Sequence, residues 1–413
     1  MADPSSSHRL LLGTSGQPPG VSVRSTGLPE SASRPDTIDP GSDQGFQIPQ
    51  VGTTVDVWEL DRLPGDVWEA WRAFRMAGDH LAEPFFAPEF SRAVDAARGG
   101  DVRVAVVRHR GIVVGVLPHH RVGRIGYPVG RFFNDAHQMI AGPGVSWDWN
   151  WLLKQLSLRS FDVHALVGCG DVQTRALGLQ PVPAFAAELG DDSVAFLKEL
   201  GRRHTTIGRQ PQKTRKLDRE IGPVRWELDC RDPSLLDRLI RWKRDQYRRT
   251  HILDLFRPDW TRRLLHELHA EPLAEDARSM RGLLSVLWAG DRPVAAHFGM
   301  LHRGRLHYWF PAYDVAMAKY SPGTALFRGI IQASTRQGIR TIDMGYGEQP
   351  YKRKQTDKVT WVATGCISRC KIHRFWKTIE QTAVDIARAM PMKHTAKRIV
   401  RTVQPDAGIG KLG

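Results

Sequence analysis

Between Leu283 and Lys354 the hydrophobic period changes in an order that few folds can accommodate. Leu283 to Ala289, Pro293 to Leu301 and Arg305 to Phe310 run at strand length, separated by Ala289-Gly-Asp-Arg292 and Arg303-Gly304. Such turns predict antiparallel neighbours. Ser321-Pro322-Gly323 then opens a helical period that reaches about Gln337, and Gly338 closes it. Thr341-Ile-Asp-Met344 returns to a short strand, and Gly345 to Lys354 predicts a loop that turns helical. Three strands, a helix and a further strand describe an α/β unit.

A similar order occurs earlier in the chain. Val55 to Leu60 alternates as a strand, and residues 65 to 77 place Val67, Trp68, Trp71 and Phe74 at helical spacing. A second helix follows Pro84-Phe-Phe-Ala-Pro88. Val102 to Val107 and Ile112 to Leu117 form a hairpin that Pro118 is expected to limit. After a Gly/Pro-rich stretch (residues 123 to 147), Trp151 to Leu158 predicts a helix and Phe161 to Val167 a strand. In the second unit, helices are expected over Ser193 to Arg202, Pro233 to Arg249 and Pro258 to Ala270, with Asp259 as an N-cap, and a strand over Val224 to Leu228. The repeated order predicts an internal duplication, although no sequence repeat aligns.

Composition bounds the setting. The chain has 413 residues, 41% hydrophobic and 25% charged, which excludes a wholly disordered or collagenous chain. Four Cys cannot build a secreted disulfide framework and fit a reducing compartment, so a soluble cytoplasmic protein is expected. No apolar run approaches the ~20 residues of a membrane span. The formal charge of +15 points to an anionic partner. Between Lys198 and Arg225 there are nine Lys/Arg against three Asp/Glu, read as a solvated helix and linker or as a polyanion contact. The Ser/Pro/Gly-rich residues 1–52 are read as disordered. Residues 374–413 are read as a basic helical tail able to meet an anionic membrane surface.

Several motifs are absent or fail. There is no phosphate-loop, dinucleotide or nucleophile-elbow string. His266 and His269 lie three apart rather than four, and Cys366, Cys370 and His373 lack a regular spacing and a fourth ligand, so no metal is expected. The Ser321 helix start is the more informative feature. Ser321 is the natural N-cap, and Pro322 loses nothing in the first turn. The free amides there, with the macrodipole, attract phosphate oxygens, and Lys319 adds a charge.

The strings Pro293-Val-Ala-Ala-His-Phe-Gly299, His307-Tyr-Trp-Phe-Pro-Ala-Tyr-Asp314, Tyr320-Ser-Pro-Gly-Thr-Ala325 and Asp343-Met-Gly-Tyr-Gly-Glu348 with Tyr351-Lys352 resemble the FemAB-like, double-GNAT acetyltransferases that include the CelD cellulose-biosynthesis proteins. The resemblance spans about residues 55 to 373 and is strongest from 190 to 355. In the GNAT phosphate loop, [Gln/Arg]-x-x-Gly-x-[Gly/Ala], Gly323 and Ala325 match and Tyr320 stands where Gln or Arg is usual. The resemblance implies an α/β fold of tandem GNAT-like domains, with mixed central sheets flanked by helices, at 53–190 and 191–373, the second catalytic. It implies acetyl-CoA as co-substrate, its diphosphate held by Lys319, Ser321, Gly323, Thr324 and Ala325. An exposed amide of Arg305 to Phe310 or of Pro311 to Tyr313 would face the thioester oxygen. His297, Asp343 and Glu348 are candidate bases, and Tyr346 or Tyr351 would protonate the thiolate. Trp309, Tyr313, Tyr346 and Lys352 are expected to hold the acceptor, a small molecule or glycan.

Three functions stay open on the sequence. The first is acetyl transfer to a sugar nucleotide or polysaccharide intermediate of envelope synthesis. The second is FemAB-type transfer from aminoacyl-tRNA, which the net charge favours. The third is a non-catalytic GNAT-fold scaffold at a membrane surface.

Overall fold

The structure, a computed structural model, describes residues 46–270 and 279–369. In the first half the strands are β1 (Phe46–Ile48), β2 (Thr53–Glu59), β3 (Arg103–His109), β4 (Ile112–Val122), β5 (Ile125–Pro128), β6 (Ile140–Ala141), β7 (Val145–Trp147), β8 (Ser160–Leu166) and β9 (Gln180–Glu188). The second half adds β10 (Val224–Glu227), β11 (Arg281–Ala289), β12 (Arg292–His302), β13 (Arg305–Tyr313), β14 (Thr341–Tyr346) and β15 (Lys358–Ser368).

Thirteen of these strands form one sheet in the order β10-β11-β12-β13-β14-β9-β15-β8-β5-β4-β3-β2, with β6 also on β4. Each half repeats the same plan. A strand, two helices and an antiparallel hairpin lead to a further strand, which pairs parallel with a strand reached across an intervening helix: β5 with β8, and β13 with β14. The expected duplication is therefore present in the fold. The halves also exchange their last strands. β9 pairs with β14 of the second half, and β15 pairs with both β9 and β8.

β11 and β12 are buried almost throughout, because helices cover both faces. On one face a single core runs across both halves, from Trp71, Phe85, Phe90 and Phe133 to Leu236, Phe256, Leu264, Phe298 and Phe310. Helix Pro233–Thr250 contributes a stripe of Leu235, Leu236, Leu239, Ile240 and Tyr247. On the opposite face of the second half, helix Pro322–Ala333 buries Ala325, Leu326, Phe327, Ile330 and Ile331 against Leu306 and Tyr308.

Four expectations need correction. Order begins by Phe46, within the segment expected to be disordered, and Ile48 is fully buried; residues 1–45 lie outside the described residues, as does the basic tail. Pro118 does not end β4, which continues to Val122. It sits where the neighbour of β4 changes from β6, paired at Val116, to β5, paired from His119, so no ladder amide is required there. Ser321 is not a side-chain cap: it adopts φ +53° and closes the short helix Val315–Tyr320. Asp259 is the first residue of its helix rather than the cap.

The register of β12 against β13 shifts between Phe298↔Phe310 and Met300↔His307, which places an extra residue on β13 at Tyr308–Trp309. Gly299 lies opposite this bulge. A Cβ there would sit 2.2 Å from the His307 carbonyl oxygen, a backbone atom with little freedom to move. Gly299→Ala is expected to cost ~1–3 kcal/mol, seen as a lower urea midpoint at unchanged slope; an unchanged midpoint would show that the bulge relaxes freely.

Candidate active site

The parallel pair of β13 and β14 is short. Its rungs are Arg305↔Thr341, Leu306↔Ile342 and His307↔Asp343, and there it ends. β14 then follows β9, while β13 continues to Tyr313 along β12. Among the described residues no strand pairs with β13 on this side beyond His307, and its edge there is open. Asp314 N–H donates to the Val294 carbonyl at 3.0 Å. In an antiparallel ladder this turns the backbone groups of residues 310 and 312 toward β12 and those of 311 and 313 toward the open edge. Pro311 has no N–H, and its carbonyl accepts from Lys243 Nζ at 3.1 Å. The bulge and Tyr313 remain as the amide sources on this edge.

The far end of the edge meets the helix start. A Cβ on Gly323 would have only the Tyr313 ring, at 3.7 Å, within 4 Å. The strand between His307 and Tyr313 covers about 20 Å at roughly 3.3 Å per residue. Thr324 and Ala325 N–H donate to the Ser321 carbonyl at 3.1 and 3.2 Å, and Ser321 N–H donates to Ala318. Of the expected amides, Gly323 N–H is left at the tip. Lys213 Nζ donates to Ser321 Oγ at 2.7 Å and brings a cation that the sequence reading did not single out. Lys319 pairs with Glu220 at 3.2 Å, and Tyr320 OH donates to the same carboxylate at 2.6 Å. Tyr320 is therefore a buried strut of the turn, not a phosphate ligand.

At the near end lies a charged cluster. His307, 1% exposed, has Nε2 3.2 Å from Asp135 and Nδ1 3.5 Å from Asp343. Arg305 lies 3.2 Å from Glu83 and 3.9 Å from Asp343. Asp343 also accepts from Gly345 N–H. Phe85 meets the imidazole edge-on at 4.7 Å, and Trp309 lies at 6.0 Å. Glu83 and Asp135 come from the first half, so the cluster straddles the junction. Burial alone would lower the His307 pKa; Asp135 and Asp343 outweigh it and raise it to about 9. Burial, then repulsion by Asp343, pushes Glu83 up. Burial also opposes ionisation of Asp343, but the imidazole, the Gly345 amide and Arg305 hold it below the ordinary value. Near neutral pH this gives a cationic His307 and an anionic Asp343, with Glu83 holding a proton more readily than Asp343 does.

Ligand atoms of Glu83, His307 and Asp343 lie within 4.8 Å of one another, a spacing a metal could use. We read them as an ion-pair network, because the Arg305 guanidinium lies 3.2 Å from Glu83 and 3.9 Å from Asp343.

The other expected residues are dispersed. His297 is fully buried and stacks on Tyr308 at 4.0 Å, with neither ring nitrogen hydrogen-bonded; burial keeps it neutral, and no nucleophile can reach it. Glu348 is exposed and pairs with Arg353. Lys352 is buried, and its amine donates to the carbonyls of Tyr346 (2.7 Å) and Gly345 (3.3 Å), which makes it a clamp on the end of β14. Tyr351 and Tyr313 are 39% and 41% exposed, and Tyr351 is near enough to Asp135 to feel its charge. Trp309 packs on Phe85, Phe133 and Phe310. Ala325 is buried, and its carbonyl accepts from Trp226 Nε1 at 3.1 Å. Sequence reasoning found Asp343 but missed Glu83, Asp135, Arg305 and His307.

A sheet that parts beside a helix start is the GNAT plan, and the comparisons agree for the second half. Residues 208–353 match the family model described as an acetyltransferase (GNAT) domain. Among solved structures the chain is similar to FemX, at 12% identity over 78% of this chain and 99% of that one (TM-score 0.49). It is also similar to a C-terminal domain described as that of a lysylphosphatidylglycerol synthetase from Agrobacterium fabrum, at 12% identity over 78% and 97% (TM-score 0.44). A tandem GNAT protein from the clavulanic acid biosynthesis pathway aligns at 11% identity over 75% and 97% (TM-score 0.40). No curated protein sequence matches the chain. Among the described residues no helix is long and apolar enough to cross a membrane.

The raised groups fix a pH response. His307 contributes stability that is complete below its unfolded pKa of about 6.5 and is lost as pH rises through about 9. Glu83 acts in the same direction, since its folded form also holds the proton more tightly. Urea midpoints should fall between about pH 6.5 and about pH 9.5, and Glu83→Gln should fall less than the wild type. A variant that tracks the wild type at every pH would refute the raised proton affinity of Glu83.

Proposed function

We propose that the chain is an acyltransferase that moves an acyl group, acetyl in the simplest case, from a CoA thioester to an amine or hydroxyl. The open edge of β13, bounded by a charged cluster at His307 and a helix start at Gly323, is the observation that carries this reading. The Gly323 amide, the helix dipole, Lys213 and Lys319 are suited to a diphosphate. The thioester supplies an activated carbonyl. The bulge at Tyr308–Trp309 frees backbone groups from the ladder, next to His307, where an oxyanion would need a donor. Asp343, 16% exposed where the edge opens, can take a proton from the acceptor, while the buried His307 behind it sets its charge. Tyr351, 39% exposed and close to Asp135, is the candidate to return a proton to the leaving thiolate.

For the acceptor we favour a polar sugar nucleotide or polysaccharide intermediate. Its support is the likeness of the strings around His307 and Asp343 to CelD-like proteins. An aminoacyl-tRNA donor is the second reading. It is favoured by the exposed basic row Lys213, Arg215, Lys216 and Arg219 on helix Gln210–Ile221, which starts at the same helix tip.

Calorimetry should show CoA and acetyl-CoA binding in the micromolar range, about −8 kcal/mol. Gly323→Trp should abolish it with an unchanged urea midpoint, because that side chain would point past Tyr313 into the edge. Absence of heat with the wild type, or full affinity in the variant, would remove the reading. Tight aminoacyl-tRNA binding with a steep salt slope would replace it by the second.

A further inference from the structure

The duplication leaves a question about the first half, whose β5 and β8 repeat the parallel pair of the coenzyme edge. The geometry points to a division of labour: the first half holds no coenzyme and instead delivers Asp135, as a positioning residue, against His307 of the second half. The coenzyme part of this inference rests on the acyltransferase reading; the Asp135 part does not.

The first-half edge is filled by its own chain. β5 and β8 pair at Ile125↔Ser160 and Gly126↔Phe161 and then part. The vacated side of β8 is taken by His137, whose N–H donates to Ala165 at 3.0 Å and whose carbonyl accepts from Val167 N–H at 3.1 Å. β6 then pairs with Gly115 and Val116 of β4. Every residue from Ala136 to Ala141 is buried. The helix that would greet a diphosphate, Trp149–Gln155, is closed as well. Asp148 Oδ1 accepts from Asn150 N–H at 2.8 Å, which consumes an amide and puts a carboxylate where an anion would have to sit. The second half has neither obstacle, since Ser321 makes no such cap.

The filling segment is also a strut. Asn134 Nδ2 donates to the Val129 carbonyl at 2.9 Å, and its Oδ1 accepts from Ala136 N–H at 3.0 Å. Asp135 projects from this locked turn to His307 Nε2. The approach needs Gly345, where φ is +69° and a Cβ would meet Asp135 Oδ2 at 2.6 Å. The imidazole is thereby held between two carboxylates from different halves. The groups around it are Glu83, Arg305, Asp343, Lys352 and Tyr351, and His297 lies on the neighbouring strand. Asp135 therefore determines how firmly His307 keeps its proton.

The test reads the imidazole directly. The His307 ring C–H resonance, assigned by its loss in His307→Gln, is titrated in the full chain by NMR. Asp135→Asn should lower its midpoint by more than about one pH unit, the usual effect of losing an adjacent opposite charge. The pH limb of kcat/KM that reports His307 should move with it, and Asp135→Glu should recover part of the shift. In parallel, CoA calorimetry should give one site per chain in both the wild type and Asp135→Asn. An unmoved midpoint overturns the role of Asp135. Two CoA sites per chain overturn the closed first half. If the wild type takes up no CoA, the acyltransferase reading falls, while the midpoint still decides the pairing of Asp135 with His307.

Discussion

The parting of β13 from β14 is the constraint on which the rest depends. A strand with an unpaired edge inside a large sheet carries backbone donors and acceptors that must find water or a ligand. The molecule limits that burden locally. Pro311 removes one donor, Lys243 satisfies one acceptor, and the bulge at Tyr308–Trp309 concentrates what is left beside His307. The split is held open at its base by charge. Asp343 and His307 form the last rung, and Lys352 ties the carbonyls of Gly345 and Tyr346 so that β14 turns away toward β9.

Much of this was legible because the second half obeys local rules. The hairpin from Arg281 to His302 announces itself by two apolar runs and a Gly-Asp turn, and the helix at Pro322 by its proline and apolar period. The misses have physical reasons. β9 carries Pro181 and Pro183, which argue against a strand until β15 is known to pair there, opposite Ala363 and Trp361. β15 mixes exposed Val359 and Trp361 with buried Val362 and Ala363 and so shows no clean period. Ser321 reads as a cap from composition, but its backbone serves the preceding turn.

The candidate site was harder to see than the fold. Asp343 stood out at the end of a strand that breaks into glycines. Glu83 and Asp135 sit in short irregular segments of the half whose resemblance is weak, and no spacing links them to His307. Their meeting is a property of the sheet order. His307 lies in the strand Arg305 to Phe310 with nothing nearby in sequence to mark it; only the two carboxylates around it make it charged. His297, with the same local pattern one strand away, has no such partners and stays neutral.

That dependence explains why the exchanged strands matter. A site assembled from two halves needs them fixed to a few tenths of an ångström, since an ion pair misplaced further loses its geometry and leaves charge buried without compensation. Two bodies that merely touched would not guarantee it. By lending β9 to β14 and β15 to β8, each half completes its sheet with the other's chain, so separating them would break backbone ladders on both sides. The shared core from Trp71 to Phe310 adds apolar burial to the same seam. Glu83 and Asp135 are thus positioned by the sheet itself, and the cluster at the vertex can be both buried and charged because the surrounding fold cannot part without unfolding.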